Sequence, residues 1–420
     1  MKNLLRLLDI ILTTLLVFAI VKFFPIFFSL DMFDPIQNTL EEMHITDMVF
    51  SKMRDHDAVE VDSNIVIINN GHLNRAEIAN LVNIVNYHEP KVIGIDAMFR
   101  KPKGDELDIP LAEAFSEVEN LVLVCGLAKP NQDDSFDTVQ YSFPMFNQYA
   151  DNGYANLYIP SDDFRTVRLA QANQFVKGKE ILSFPVKVAS FYDSDKTYKF
   201  LQRDNDFEVI NYKRNIDKYI TYDYSELERD PEAFDILKDK IVLIGYLGPN
   251  LEDPVTEDIF FTPMNENYVG KTQADMYGIV IHANTISMIL EQDFIARTPE
   301  WISYMLVYLV VILNMVSFDY FRRKYPNFYQ PYTVLLILGE LIGFTTLIIV
   351  LLHNFSIELK FAGAFFSLIV CVLAFELYTD SLKPLVVSRY RSYVFERDRK
   401  RAKEINKRLD DNPLDDKESK

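Results

Sequence analysis

The 420-residue chain is poor in several things that announce a function. It has 2 cysteines, Cys125 and Cys371, and 1 tryptophan. Two cysteines so far apart in context make neither a disulfide framework nor a zinc set, so neither compartment nor chemistry is read from them. Enzyme signatures are missing: there is no Walker A, no G-x-S-x-G, no H-E-x-x-H and no kinase set. Positive charge is also short, with 43 Lys and Arg against 61 Asp and Glu, a net of −18. The shortage is local. Residues 31–300 carry 24 basic and 47 acidic groups, a net of −23, while the two flanks together stand at +5. A block this acidic repels phosphate, which argues against nucleic acid as a partner.

Four long apolar runs are present: Leu7–Phe28, Ile302–Phe318, Tyr332–Leu352 and Phe361–Tyr378. A bilayer core of ~30 Å needs ~20 apolar helical residues, so each run reads as a membrane span. Trp301, Tyr304 and Tyr320 flank the second run as an interfacial aromatic belt does. The first run has no small-x-small cleavage site and no cysteine after it, so it reads as a signal anchor. Basic residues cluster before the first run (Lys2, Arg6), between the second and third (Arg322, Arg323, Lys324) and after the fourth (Lys383 to Lys403). The positive-inside rule then puts both termini in the cytoplasm and residues 31–300 outside it, in a protein of the inner membrane. The expected layout is 1–30 signal-anchor span, 31–300 extracytoplasmic domain, 301–380 three transmembrane helices and 381–420 a short basic cytoplasmic tail. The basic tail favours anionic headgroups, and its apolar spacing suits a helical contact with a partner.

Within the acidic block, Asn64–Asn70 is a β-branched run of the kind found in strands buried on both faces. Asn74 with Glu77 three residues later marks a helix start, Ile78, Leu81, Val82 and Val85 give it an apolar face, and Pro90 stops it. Lys91–Phe99 is a second strand, Asp108–Glu119 a second helix and Leu121–Leu127 a third strand. This order predicts an α/β domain with a mainly parallel sheet covered by helices. Ala155–Ile159 and Thr166–Val176 read as strands around a turn at residues 161–163, and Phe184–Phe191 as a helix. Residues 194–230 are polar, tyrosine-rich and unassigned. Asp239–Gly248 is another buried strand, followed by an acidic loop from Glu252 to Asp258 and a helix from about Ile279 to Gln292.

Lys91-Val-Ile-Gly-Ile-Asp-Ala-Met-Phe with Leu111-Ala-Glu-Ala resembles the first half of a CHASE domain of the second type, a cyclase/histidine-kinase-associated sensory extracellular domain. Lys240-Ile-Val-Leu-Ile-Gly, Asp258 before Thr262-Pro263-Met264, and Gly278-Ile-Val-Ile-His-Ala-Asn resemble its second half. The likeness covers roughly residues 35–295 and extends to the one-plus-three arrangement of spans. Two departures stand out. The segment Asn70–Arg75 lacks the Trp-Pro insertion of many members, and the chain ends about 40 residues after the fourth span, too few for the usual output domain. The resemblance therefore implies a sensor, with its output on another polypeptide.

Candidate ligand-binding residues are Asp96, at the carboxyl end of a predicted parallel strand, Asp253 and Asp258 after another, and His282. Ligands of open α/β sheets sit beyond the carboxyl ends of strands. The competing reading makes Asp96 a cap, the other two solvated loop acids and His282 a packed residue; Thr262-Pro263 sets a turn. Glu340, near the middle of the third span between Gly339 and Gly343, is the one intramembrane polar candidate. It is read either as a protonated acid hydrogen-bonded to a neighbouring span or as part of an ion pathway. The glycines predict a close helix approach there, and the lack of a second midplane charge argues against a transporter. No catalytic residue, metal or cofactor is expected. The leading expectation is a membrane-anchored sensor that binds a small ligand or envelope protein outside and passes the signal to a separate partner chain. A non-catalytic scaffold of an envelope complex is the alternative, an enzyme of the outer domain the third reading, and homo-oligomerisation is left open.

Overall fold

A computed structural model describes residues 2–28, 45–128, 136–159, 166–251, 257–265, 273–359 and 362–410. The chain divides into two compact units. One is Asn38–Arg297 together with Ile348–Glu358; the other is Met1–Gln37, Thr298–Leu347 and Leu359–Lys420.

The first unit is built on a seven-stranded sheet. Strand β1 (Asp62–Asn69) leads through helix α2 (Arg75–Tyr87) to β2 (Val92–Ile95), and through α3 (Asp105–Ser116) to β3 (Leu121–Ala128); α1 is the N-terminal helix Lys2–Phe28. Then come β4 (Thr138–Gln140), β5 (Asp151–Tyr154) and the hairpin β6 (Asn173–Val176) and β7 (Lys179–Leu182). Helices α4 (Phe184–Tyr192) and α5 (Ser194–Leu201), strand β8 (Tyr219–Asp223), helix α6 (Tyr224–Arg229) and strand β9 (Ile241–Gly245) follow. The sheet runs β8-β1-β9-β2-β3, all parallel. The outer edge of β3 pairs with β5 in parallel along its first half and with β4 antiparallel along its second.

The period-2 alternation of strand side chains divides the core in two. Val66, Ile68, Ile93, Ile95, Val242 and Ile244 pack under α2 and α3. Ile65, Ile67, Val92, Val124, Ile241 and Leu243 pack under α4 and the helix α7 (Gly278–Glu291). Both faces are covered, so the strands must be apolar at every position, which is why β1 and β9 read as continuous β-branched runs. Each such side chain, fully buried, contributes ~1.5–3 kcal/mol.

Helix α2 begins where the capping box predicts. Asn74 accepts from the Ala76 and Glu77 amides, and Glu77 accepts from the Asn74 amide. Arg75 and Asp108, both buried, form an ion pair that ties α2 to α3. Burial pushes the Asp108 carboxyl up, but hydrogen bonds from Arg75, Lys103 N and Gly104 N outweigh it and hold the group below its usual range.

Three sequence readings change. The second strand stops at Ile95, and only the Asp96 amide carries the ladder further, to Ile244 O, one residue before β9 ends at Gly245. The expected strand at 155–159 gives way to β5 just before it, at Asp151–Tyr154. The segment 166–176 breaks into short pieces, and β6 turns back into β7 through Lys177 and Gly178, both left-handed at φ 50° and 78°. The turn expected at 161–163 lies outside the described residues. The unassigned stretch 194–230 supplies α5, the edge strand β8 and α6.

Strand β10 (Ile259–Phe260) pairs with β11 (Met276–Tyr277) and delivers the chain to α7. After α7, β12 (Ala296–Arg297) pairs in parallel with β13 (Ile357–Glu358), and Arg297 Nε donates to Glu358 Oε2 at 2.9 Å. Leu352 is buried in the same apolar cluster as α7.

The second unit holds α1, α8 (Glu300–Lys324), most of α9 (Tyr329–Phe355), α10 (Ala362–Glu376) and α11 (Lys383–Asp410). Among the described residues, four stretches are long and apolar enough to cross a membrane: Leu4–Phe23, Glu300–Lys324, Pro326–Phe355 and Phe365–Glu404. Val17, Val311, Met315, Phe318, Cys371 and Phe375 pack at their centre. Asp9, which interrupts the first run, accepts from Tyr378 Oη at 2.8 Å and pairs with Lys383 at 2.5 Å. This pairing offsets the cost of an acid in an apolar helix.

Candidate functional site

The carboxyl edge of the sheet is where the chain spends its polar groups. Asn69, last residue of β1, donates from Nδ2 to Asp223 Oδ1 at 2.8 Å and to Gly248 O at 3.1 Å. Its Oδ1 accepts from Leu247 N and Gly71 N. Asp223 also accepts from Leu251 N at 3.0 Å. These two residues clasp three loops and are consumed by doing so.

Asp96 follows β2 directly, and its amide extends the ladder to Ile244 O at 2.8 Å. Continuing the alternation of Val92 and Gly94, it falls on the α4/α7 side of the sheet, where Gly94 lies against Phe184 and Val188. The half-buried carboxyl has no hydrogen-bond partner among the described residues, and burial pushes it up to about 6. Asp258 sits at φ 54°, a left-handed conformation unusual for a non-glycine residue. Its carbonyl accepts from Gly278 N at 3.1 Å. A Cβ on Gly278 would lie 3.2 Å from its Oδ2, so the carboxyl leans on the first turn of α7 although the residue as a whole is exposed. Burial first, then the charge of Asp96, raise Asp258 to about 6. Asp258, at the start of α7, therefore feels the charge of Asp96. Close approach is allowed there by two glycines: a Cβ on Gly245 would meet Ile279 Cγ1 at 2.8 Å. Such a pair can take up a proton near pH 6 or hold a cation. Among the described residues no group of three or more His, Cys, Asp or Glu is placed to hold a metal ion. Asp253 lies outside the described residues.

His282 is one turn further along α7, ~6 Å in rise from Gly278. It is 4% exposed, its ring stands edge-on to Phe184 at 5.4 Å, and burial pushes it down to about 4, so the imidazole is neutral. It faces a separate pocket with Tyr154, Tyr158, Ser183, Ile210 and Thr285, which neither carboxylate lines. The structure thus brings Asp96 and Asp258 together and sets His282 apart from them. In the second unit, Asn314 Nδ2 of α8 donates to Glu340 Oε2 of α9 at 2.8 Å. The close helix approach expected at Gly339 and Gly343 is not found: a Cβ at either would meet nothing within 4 Å. Thr262 does set a turn, accepting from Asn265 N, and its hydroxyl donates to Asp275.

Sequence reasoning missed Ser183 and Tyr154. Ser183 before Phe184-Pro185 carries the signal of a helix N-cap, a reading that assigns its hydroxyl to the helix. Tyr154 lies in a stretch without periodicity. Asn284, part of the Gly278–Asn284 motif, is structural: Oδ1 accepts from Lys213 N and Arg214 N, and Nδ2 donates to Arg214 O.

A family model for the CHASE2 domain matches residues 13–317. The chain belongs to the CHASE2 domain family. The CHASE2 match starts inside the first apolar helix and ends inside the second, so it takes in the whole α/β unit between them. CHASE2 is a sensory extracellular domain of signalling proteins, and with four apolar helices this gives the features of a membrane protein with an extracytoplasmic segment. No curated protein and no solved structure matches the chain.

Proposed function

We propose that the protein is a non-catalytic sensor of the inner membrane. Its α/β unit lies outside the cytoplasm, both termini lie inside, and a change in the outer unit passes through the spans to a separate partner chain. The observation that carries this reading is the CHASE2 match from one apolar helix to the next. Support for a route inward comes from the outer unit itself. Its last segment before α8, Ala296–Arg297, is stapled to Ile357–Glu358, the segment between α9 and α10. Through this staple a shift of α7 reaches the loop between the third and fourth helices as well as the chain leading into the second. A ligand biases such a device only by its differential affinity for two states. Helix α11, rich in Arg and Lys, offers the surface for a partner or for anionic headgroups.

The test is affinity purification of the full chain in mild detergent with mass spectrometry of what accompanies it. A signalling protein recovered with the chain is expected. Recovery of the chain alone overturns the reading, and a fixed stoichiometric assembly of envelope proteins without a signalling member would replace the sensor by a scaffold.

A further inference from the structure

Among the described residues, the pocket beside the start of α4 is lined without a charged side chain. Leu157, Leu169, Pro185 and Ile210 supply apolar walls, and Tyr154 and Tyr158 supply rings. Counted together with the open solvent at its mouth, the hollow measures about 310 Å³. Its enclosed part has room for roughly one water, so the body of anything larger lies in the open mouth. Three of the polar side chains in the wall are already used. Tyr154 Oη donates to Gln171 O at 3.0 Å, Thr285 Oγ1 donates to Ile281 O at 3.0 Å, and Asn156 is engaged with both Leu127 N and Leu127 O.

Of the other four, Tyr158 and Gln171 are only partly buried, and two are buried. Ser183, 5% exposed, has a buried hydroxyl without a hydrogen-bond partner among the described residues. Its position explains this. Ser183 is the N-cap of α4, and its carbonyl accepts from Lys187 N, but its hydroxyl caps nothing, and the second helical residue is Pro185, which has no N–H to give. An orphaned buried hydroxyl costs ~1–3 kcal/mol. The second group is the neutral His282 ring, which makes no hydrogen bond among the described residues. One hydroxyl and one neutral imidazole each offer a donor and an acceptor to the same apolar space.

We infer that this pocket is the ligand site of the sensory domain and takes a small uncharged molecule with an apolar body and one hydroxyl- or amide-like group. The inference rests on the sensory reading above and deepens it. An ion is disfavoured because no counter-charge lines the walls among the described residues, and an unpaired charge there is costly. A molecule with one polar end satisfies Ser183 Oγ and His282 while its body covers Leu157, Leu169 and Ile210. The pocket sits where α4, α7 and the sheet edge meet: Ser183 bridges to Tyr154 of β5, and His282 lies on α7. A bound molecule therefore touches both helices that cover this face of the sheet.

The test places a thiol in the pocket of the full chain held in lipid nanodiscs. Ser183→Cys is treated with methyl methanethiolsulfonate, which is neutral, and with its sulfonatoethyl and trimethylammonioethyl relatives, which are charged. Labelling is read by peptide mass spectrometry and normalised to the exposed control Tyr198→Cys. The neutral reagent is expected to label residue 183 at least ~10-fold faster than either charged one, reflecting the cost of burying an unpaired charge. Phenol or benzamide should slow that labelling severalfold, and benzoate, a near match of benzamide in shape, should not. Equal rates for all reagents would mean an open surface. Labelling by none would mean a sealed cavity with a structural water only. Protection by neither phenol nor benzamide, or by benzoate as well, would mean the wrong ligand class. Any of these outcomes overturns the proposal. Thr285→Cys repeats the measurement from the other wall, so a poorly folded Ser183 variant does not leave the question open. If the pocket fails while a signalling partner still co-purifies, the sensory reading stands and the ligand binds elsewhere.

Discussion

Asp96 shows what a single residue contributes here and how it is checked. Its carboxyl is ordinary in sequence, and burial alone lifts it from 3.8 to about 6. The sign follows from linkage: the folded chain holds a proton that the unfolded chain releases between about pH 4 and 6, so stability falls as pH rises across that window and levels off above it. Asp96→Asn removes the penalty. Its melting temperature should equal that of the parent near pH 4 and exceed it at pH 7.5 by the equivalent of ~1–3 kcal/mol. A variant less stable than the parent at pH 7.5 would mean that a neighbour prefers the carboxylate charged. That Asp96 ends a parallel strand was legible from the apolar run before it. That Asp258, 162 positions later in the chain, comes close enough to feel its charge was not, because the approach depends on a left-handed backbone at 258 and a bare Gly278. His282 looked alike as a ligand or a packed ring, since a lone histidine has no local partner that decides between them.

At the scale of elements, the legible parts are those whose pattern is set by burial on both sides or by a cap. β1, α2, β2, α3 and β3 were readable because their apolar spacing and the Asn74–Glu77 box are local properties. The stretch from 131 to 235 was not, because its pieces are short and half-buried; β8 is an edge strand that buries only Tyr219, and α5 buries only two positions. Close packing of these pieces rests on glycines. A Cβ on Gly153 of β5 would fall 2.5 Å from Phe184 Cα, and backbone cannot step aside as a side chain does. Gly153→Ala should cost ~1–3 kcal/mol as overpacking. Gly126→Ala, whose nearest neighbour is the flexible Met98 Cε at 3.3 Å, should cost less. Chemical denaturation of the two variants against the parent checks the order; a Gly126 variant weaker than the Gly153 variant contradicts it.

For the whole molecule, the proposed orientation makes a direct prediction. Tyr198, on α5 of the α/β unit, and Tyr393, on α11, are both exposed at 62% and 64%. In intact spheroplasts a membrane-impermeant maleimide should label Tyr198→Cys, and should label Tyr393→Cys only after lysis. The opposite pattern would invert the topology. The sequence alone determined the class of this protein: four apolar helices, an acidic α/β block and the CHASE2 motifs, all carried by local length, period and charge. Tertiary structure decided what the class leaves open. Parallel register and close approach at Gly94, Gly153, Gly245 and Gly278 bring Asp96 towards Asp258 and Ser183 to the space His282 faces, and the β12–β13 pairing staples Arg297 to Glu358. Those pairs are separated by 61 to 162 positions. No local pattern encodes such meetings, because they are set by how whole helices settle on a twisted sheet.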